Sequence, residues 1–255
     1  MRSMSVLTLW LSLTSMPAAA GKEPLGLDDL KILADKESFT ELVEHIDDVP
    51  PTKRDDTWSA LLIKGAIGYL GSLAGEEDGR NVPPTANALL KRFPELKKNA
   101  LFMQQRATLG LAWFAKCFQD SWAADRCHKD LTEFVAADPK SYDLALKAGK
   151  LACQHGNPGI AIGYFEKAIA LRKGDRVCTD ADLATSVLVA LRMPSDTPEM
   201  KLGIKVAGIC YTSLKTQLAD ELAEQGTESA FFANACPLVK AHGDLKGLKA
   251  KRCKG

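Results

Sequence analysis

The stretch "LKAGKLACQHGNPGIAIGYFEKAIAL", Leu146 to Leu171, decides how the chain is read. It opens as an apolar-periodic helix, breaks around His155–Pro158, and resumes as a second amphipathic helix. Pro158 suits the start of that second helix, where its missing N–H and fixed φ cost nothing. Small residues sit at the places where two helices would cross: Gly149 in the first, Ala161 and Ala168 in the second. Phe165 supplies the bulk between them. One such hairpin cannot bury its own apolar face, so neighbouring segments must cover it.

A shift of 34 residues finds a neighbour of the same kind. Ala115 falls on Gly149, Phe118 on Ala152, Cys127 on Ala161, Leu131 on Phe165 and Phe134 on Ala168. Through "LAWFAKCFQDSWAADRCHKDLTEFVAADP" and the stretch above, the chain resembles the tetratricopeptide repeat family. The second copy matches through Gly149, Gly156, Ala161, Phe165 and Ala168; the first matches through Phe114, Ala115, Phe118, Leu131 and Asp138-Pro139, with Cys127 in the small-residue place. Ala152 and Lys173 stand where that family usually carries Tyr and Pro. Trp58, Leu61 and Gly65 resemble the start of another copy, while beyond residue 175 the shift puts Leu183 at the small position and Glu199 at the aromatic one.

The resemblance implies an all-α fold, with antiparallel helix hairpins stacked as a tetratricopeptide-like α-solenoid. In such stacks the first helix of each hairpin lines a concave groove. That would place Lys116, Gln119, Lys150 and Gln154 on the groove side, with Lys116 above Lys150 and favouring an acidic ligand. A solvated face explains the two lysines equally well. The best-known basic groove of the family clamps a C-terminal carboxylate with Lys and Asn; no matching Asn lies on these faces, so that activity is not carried over.

Elsewhere strand signals are nearly absent. Helices are expected near residues 27–35, 38–47, 55–74, 84–92, 95–119, 122–137, 141–155, 158–172, 179–192, 198–224 and 228–242. Pro50-Pro51, Pro83-Pro84, Pro139, Pro158, Pro194 and Pro198 fall at or near the breaks. Gly65, Gly68 and Gly71 share one side of a helix, where another backbone is expected to approach closely. The segments read as 1–20, an export signal; 21–107, degenerate hairpins; 108–175, two repeats; and 176–255, C-terminal helices ending in a Cys-rich basic tail.

Arg2, the apolar "SVLTLWLSLTSM" and the small residues of "PAAA" before Gly21 read as a cleavable signal, with Ala18 and Ala20 correctly spaced. The expected location is therefore periplasmic or secreted. The apolar run is too short for a span of ~20 residues, so no membrane span is expected. Without Arg2 the chain carries 32 basic and 32 acidic residues, a balance that gives no general attraction to nucleic acid. The charge is uneven: residues 21–57 hold five Lys/Arg against eleven Asp/Glu, and the last twenty hold six against one. Acidic start and basic end are able to meet head-to-tail; a solvated tail is the plainer alternative.

All seven cysteines follow residue 116: Cys117, Cys127, Cys153, Cys178, Cys210, Cys236 and Cys253. In an exported chain they read as a disulfide framework with at least one left over. Cys117 with Cys127 is the most local pairing, contributing about 2–3 kcal/mol by loop closure. Cys127-His128 and Cys153-Gln154-His155 lack the second ligand pair of a zinc site, so no metal and no cofactor is expected. No GxSxG, SxxK, HExxH, P-loop or GxGxxG pattern occurs, and no catalytic residue is assigned. Asp47-Asp48 and Asp55-Asp56 read as caps rather than an acid/base pair.

The expected function is a non-catalytic scaffold for a protein or peptide partner in the cell envelope. The alternatives are a cysteine-rich helical repeat hydrolase of cell-wall-like substrates and a structural envelope component joined through the odd cysteine. The oligomeric state is left open.

Overall fold

The computed structural model describes residues 24–76, 79–119, 124–155, 157–172, 176–243 and 253. The expected export signal over residues 1–20, Gly156 of the repeat pattern and most of the basic tail lie outside them. Among the described residues there are twelve α-helices and no strand, so the chain is all-α. None of these helices is long and apolar enough to cross a membrane.

The chain divides into two compact units, with the division falling between Leu62 and Ile63. The first unit holds α1 (Leu27–Asp35), α2 (Phe39–His45), two 3-10 turns and the start of α3 (Asp56–Gly75). Its core gathers Leu30, Leu42, Ile46 and Trp58. The Trp58 indole donates to the Ile46 carbonyl at 2.8 Å, and Arg54 lies 4.6 Å above its ring. Asp55 caps α3 by accepting from the Trp58 N–H at 2.9 Å, while Asp48 accepts from the Leu25 N–H and from His45. These acids serve as caps and ties, as their position before a helix requires.

The second unit holds the rest of α3 and α4 (Val82–Arg92), α5 (Ala100–Cys117), α6 (Ala124–Ala136), α7 (Tyr142–Gln154), α8 (Pro158–Arg172), α9 (Ala181–Leu191), α10 (Pro198–Ile209), α11 (Tyr211–Glu224) and α12 (Ala230–Ala241). From α7 to α10 each helix packs on the next and on the one after. Farther toward the N-terminus α5 touches α4, α6 and α7, and α12 closes the other end against α9, α10 and α11. Helices α7 and α8 are antiparallel: Arg172 stacks on Tyr142 at one end, and Phe165 lies against Gly149 at the middle.

Polar side chains tie off the helix ends. Ser141, Asp180, Thr197 and Ser229 each accept from a first-turn N–H of α7, α9, α10 and α12. Asn234 of α12 is nearly buried and donates to the Leu191 and Met193 carbonyls at 3.0 and 3.1 Å, satisfying acceptors that α9 leaves unpaired at its end.

Two expectations change. The single helix expected over 198–224 is two helices, α10 and α11, meeting at Cys210, whose φ and ψ of −95° and 16° leave the helical range. Neither Gly nor Pro marks this break. Cys210 is instead bonded to Cys178, which fixes its place against the turn before α9. In α3, Gly65 is buried and Gly68 half-buried, but Gly71 is exposed with open space where a Cβ would stand. Close approach therefore does not extend along all three glycines.

Candidate functional site

Helix α7 carries the two groove residues expected on it toward its C-terminal end. Its other face is committed to α8: Ala145, Ala148, Gly149 and Ala152 are buried, and a Cβ on Gly149 would stand 3.1 Å from the Phe165 ring. That leaves Lys147, Lys150 and Gln154 toward solvent. The start of α9 lies beside them. Lys150 Nζ meets Asp180 Oδ2 at 2.9 Å, and Gln154 Nε2 donates to Asp182 Oδ2 at 3.1 Å. The hydrogen bond from Lys150 to Asp180, aided by their opposite charges, raises the ammonium's pKa above its ordinary value. Asp180 is at the same time the N-cap of α9, accepting from the Asp182 N–H at 3.0 Å.

The structure thus brings Lys150 and Gln154 together and gives each a carboxylate from its own chain. Lys116 and Gln119 are both exposed at the C-terminal end of α5, which packs against α7. Sequence reading placed all four on one side but did not find Asp180 and Asp182. Their only local signal is the capping position of Asp180 ahead of the apolar run of α9.

The cysteines resolve into three bonds: Cys117–Cys127, Cys178–Cys210 and Cys236–Cys253. The most local pairing is among them. Cys153 keeps a free thiol, half-buried and donating to the Asp182 carbonyl at 3.3 Å. Burial pushes its pKa upward, so it stays protonated at neutral pH and is a poor nucleophile. Cys127, spent in a disulfide, has no thiolate to offer a metal, and its neighbour His128 turns elsewhere. Among the described residues no group of three or more His, Cys, Asp or Glu is arranged to hold a metal ion.

Two buried polar groups were not found from the sequence. His128 on α6 lies under Phe118, with ring centroids 4.4 Å apart, and Phe118 stacks in turn on His155 at 5.8 Å. Its Nδ1 is buried without a hydrogen-bond partner, and burial holds its pKa below the ordinary value against a weaker pull from Asp125. Arg106 on α5 is fully buried. It donates to Asn87 Oδ1 at 2.8 Å and to the Phe134 carbonyl, and lies 3.8 Å over the Phe134 ring. That carbonyl belongs to the last turn of α6, where no helical N–H reaches it. Burial lowers the guanidinium pKa to about 10, which leaves it cationic at neutral pH. Arg106 joins α4, α5 and α6 through these contacts, while its Nε and Nη1 are buried without a hydrogen-bond partner.

No family model matches the chain, and no curated protein or solved structure shows significant similarity to it.

Proposed function

We propose that the chain is an exported, non-catalytic scaffold built as a tetratricopeptide-like stack, presenting one helical face to a protein or peptide partner in the cell envelope. One observation carries the reading: α5, α7 and α9 lie side by side, and each is followed by a helix that packs back upon it. Two hairpins repeat the contact of an aromatic ring on a glycine, Phe165 on Gly149 and Phe134 on Gly110. Three disulfides among the described residues support an oxidising compartment. On this reading Lys116 and Gln119 make the first contact with the partner. An acidic ligand reaching Lys150 and Gln154 has to displace Asp180 and Asp182. Displacement at Lys150 carries a cost, because the Asp180 side chain is only 15% exposed and also caps α9.

Lys116→Glu is the direct test, since Lys116 is exposed. Reversal at Lys150 would set a carboxylate beside Asp180 and disturb the start of α9. In a crosslinking pull-down with the tagged protein, K116E is expected to lose at least tenfold of the captured partner while its circular dichroism and melting stay those of the parent. Capture unchanged by K116E would remove this face from the proposal.

A further inference from the structure

Two exposed apolar residues stand in surroundings of opposite charge. Ile32, in the first unit, is 51% exposed on α1, with Asp28 one turn before it and Asp35 one turn after on the same stripe. Residues 24–48, the segment that carries it, hold eight Asp/Glu against two Lys, with Asp47 paired to Arg54 at 3.0 Å. One of those two lysines, Lys31, is paired with Asp28 at 2.8 Å. Leu101, in the second unit, is 54% exposed in the first turn of α5. Lys97 and Lys98 are exposed in the 3-10 turn that leads into it, and residues 91–105 hold four Lys/Arg against one Glu. Each patch has the form of a small docking surface, an apolar centre with a charged rim. Each is complementary in charge to the other.

We propose that a second copy of this chain is the occupant: the acidic Ile32 patch of one copy docks on the basic Leu101 patch of the next. Because the two patches differ, the contact is heterologous, and each copy offers one patch of each kind. Opposite net charge steers the encounter and sets its salt dependence, while Ile32 and Leu101 supply the desolvated centre. The contact uses neither Lys116 nor Lys150, so it goes beyond the partner-binding reading and fails or stands separately from it.

The test is sedimentation velocity of the full chain carrying Cys153→Ser, so that a disulfide through the free thiol does not count as association. At about 0.01 M ionic strength, where the Debye length is roughly 30 Å, the sedimentation coefficient is expected to rise with concentration; at about 1 M, where it is roughly 3 Å, the protein is expected to run as a monomer. Ile32→Lys and Leu101→Asp, each at an exposed site, are each expected to abolish association. Mixed one to one they are expected to form a dimer and nothing larger, because each contributes its intact patch. A monomer at every concentration, association that survives either variant or high salt, or a mixture that stays monomeric would overturn the proposal.

Discussion

Gly71, Gly110 and Gly149 are the same residue in three surroundings, and they separate backbone cost from packing need. Gly71 sits in an exposed helix interior with nothing within 4 Å of where a Cβ would lie. Gly71→Ala is therefore expected to stabilise the protein, by up to about 1 kcal/mol, through helix propensity alone. At Gly110 an added Cβ would overlap the Phe134 ring, which Phe114 and Arg106 already hold in place. Gly110→Ala is expected to destabilise by about 1–3 kcal/mol despite the same gain in propensity. Urea midpoints for the two variants should move in opposite directions; a stabilised Gly110→Ala would show that this contact is loose. The sequence displayed all three glycines but not which of them faced a ring, since that depends on the partner helix. At Gly149 the pairing was legible, because Phe165 follows in the very next helix after a short connection. At Gly110 it was not: the 34-residue shift pointed to Ala115 and Leu131, whereas the ring contact is made by Gly110 and Phe134, 24 residues apart rather than 16. Helix α5 is 18 residues long against 13 for α7, and the connection after it is longer, so its crossing point moves toward its start.

The junction of α5, α6 and α7 carries the pH response at the scale of elements. His128 from α6 and His155 at the end of α7 bracket Phe118, which follows α5, and the Cys117–Cys127 bond pins α5 to α6 beside them. The charged group acting on His128 at this junction is Asp125, whose attraction opposes the effect of burial. With its folded pKa depressed, His128 contributes stability that is fully present above the unfolded value of about 6.5 and is lost as pH falls through the folded pKa. Asp48, held low by the Leu25 N–H, and Glu221, held low by Arg192, enter only in the carboxylate range below that. Unfolding free energy is thus expected to fall between pH 7.5 and 5, and His128→Phe is expected to flatten that slope while keeping the stack on Phe118. Equal slopes in the two proteins would place the response elsewhere. The bond from Cys127 to Cys117 was legible as the most local pairing, whereas nothing in the sequence shows that His128 is turned under an aromatic ring. The break at Cys210 was hidden for a similar reason: the constraint comes from Cys178, 32 residues away, and leaves no proline or glycine at the site.

At the scale of the whole molecule, composition and periodicity were enough for an all-helical chain, and the expected helix over residues 27–35 matches α1 in full. The side that the proposal assigns to a partner is a different matter. Lys116 and Lys150, placed alike by the repeat, differ in the folded chain: one stands exposed, and the other is tied to a carboxylate that only the approach of α9 brings near. The central claim is that a partner is held on the face of α5 and α7. It is tested most directly by placing a photo-crosslinking residue in turn at Gln119 on that face and at Lys201 on α10, both exposed, and identifying what each captures in intact cells. The account predicts one dominant envelope protein at Gln119 and only background at Lys201. Equal capture at both positions, or none at Gln119, would contradict it.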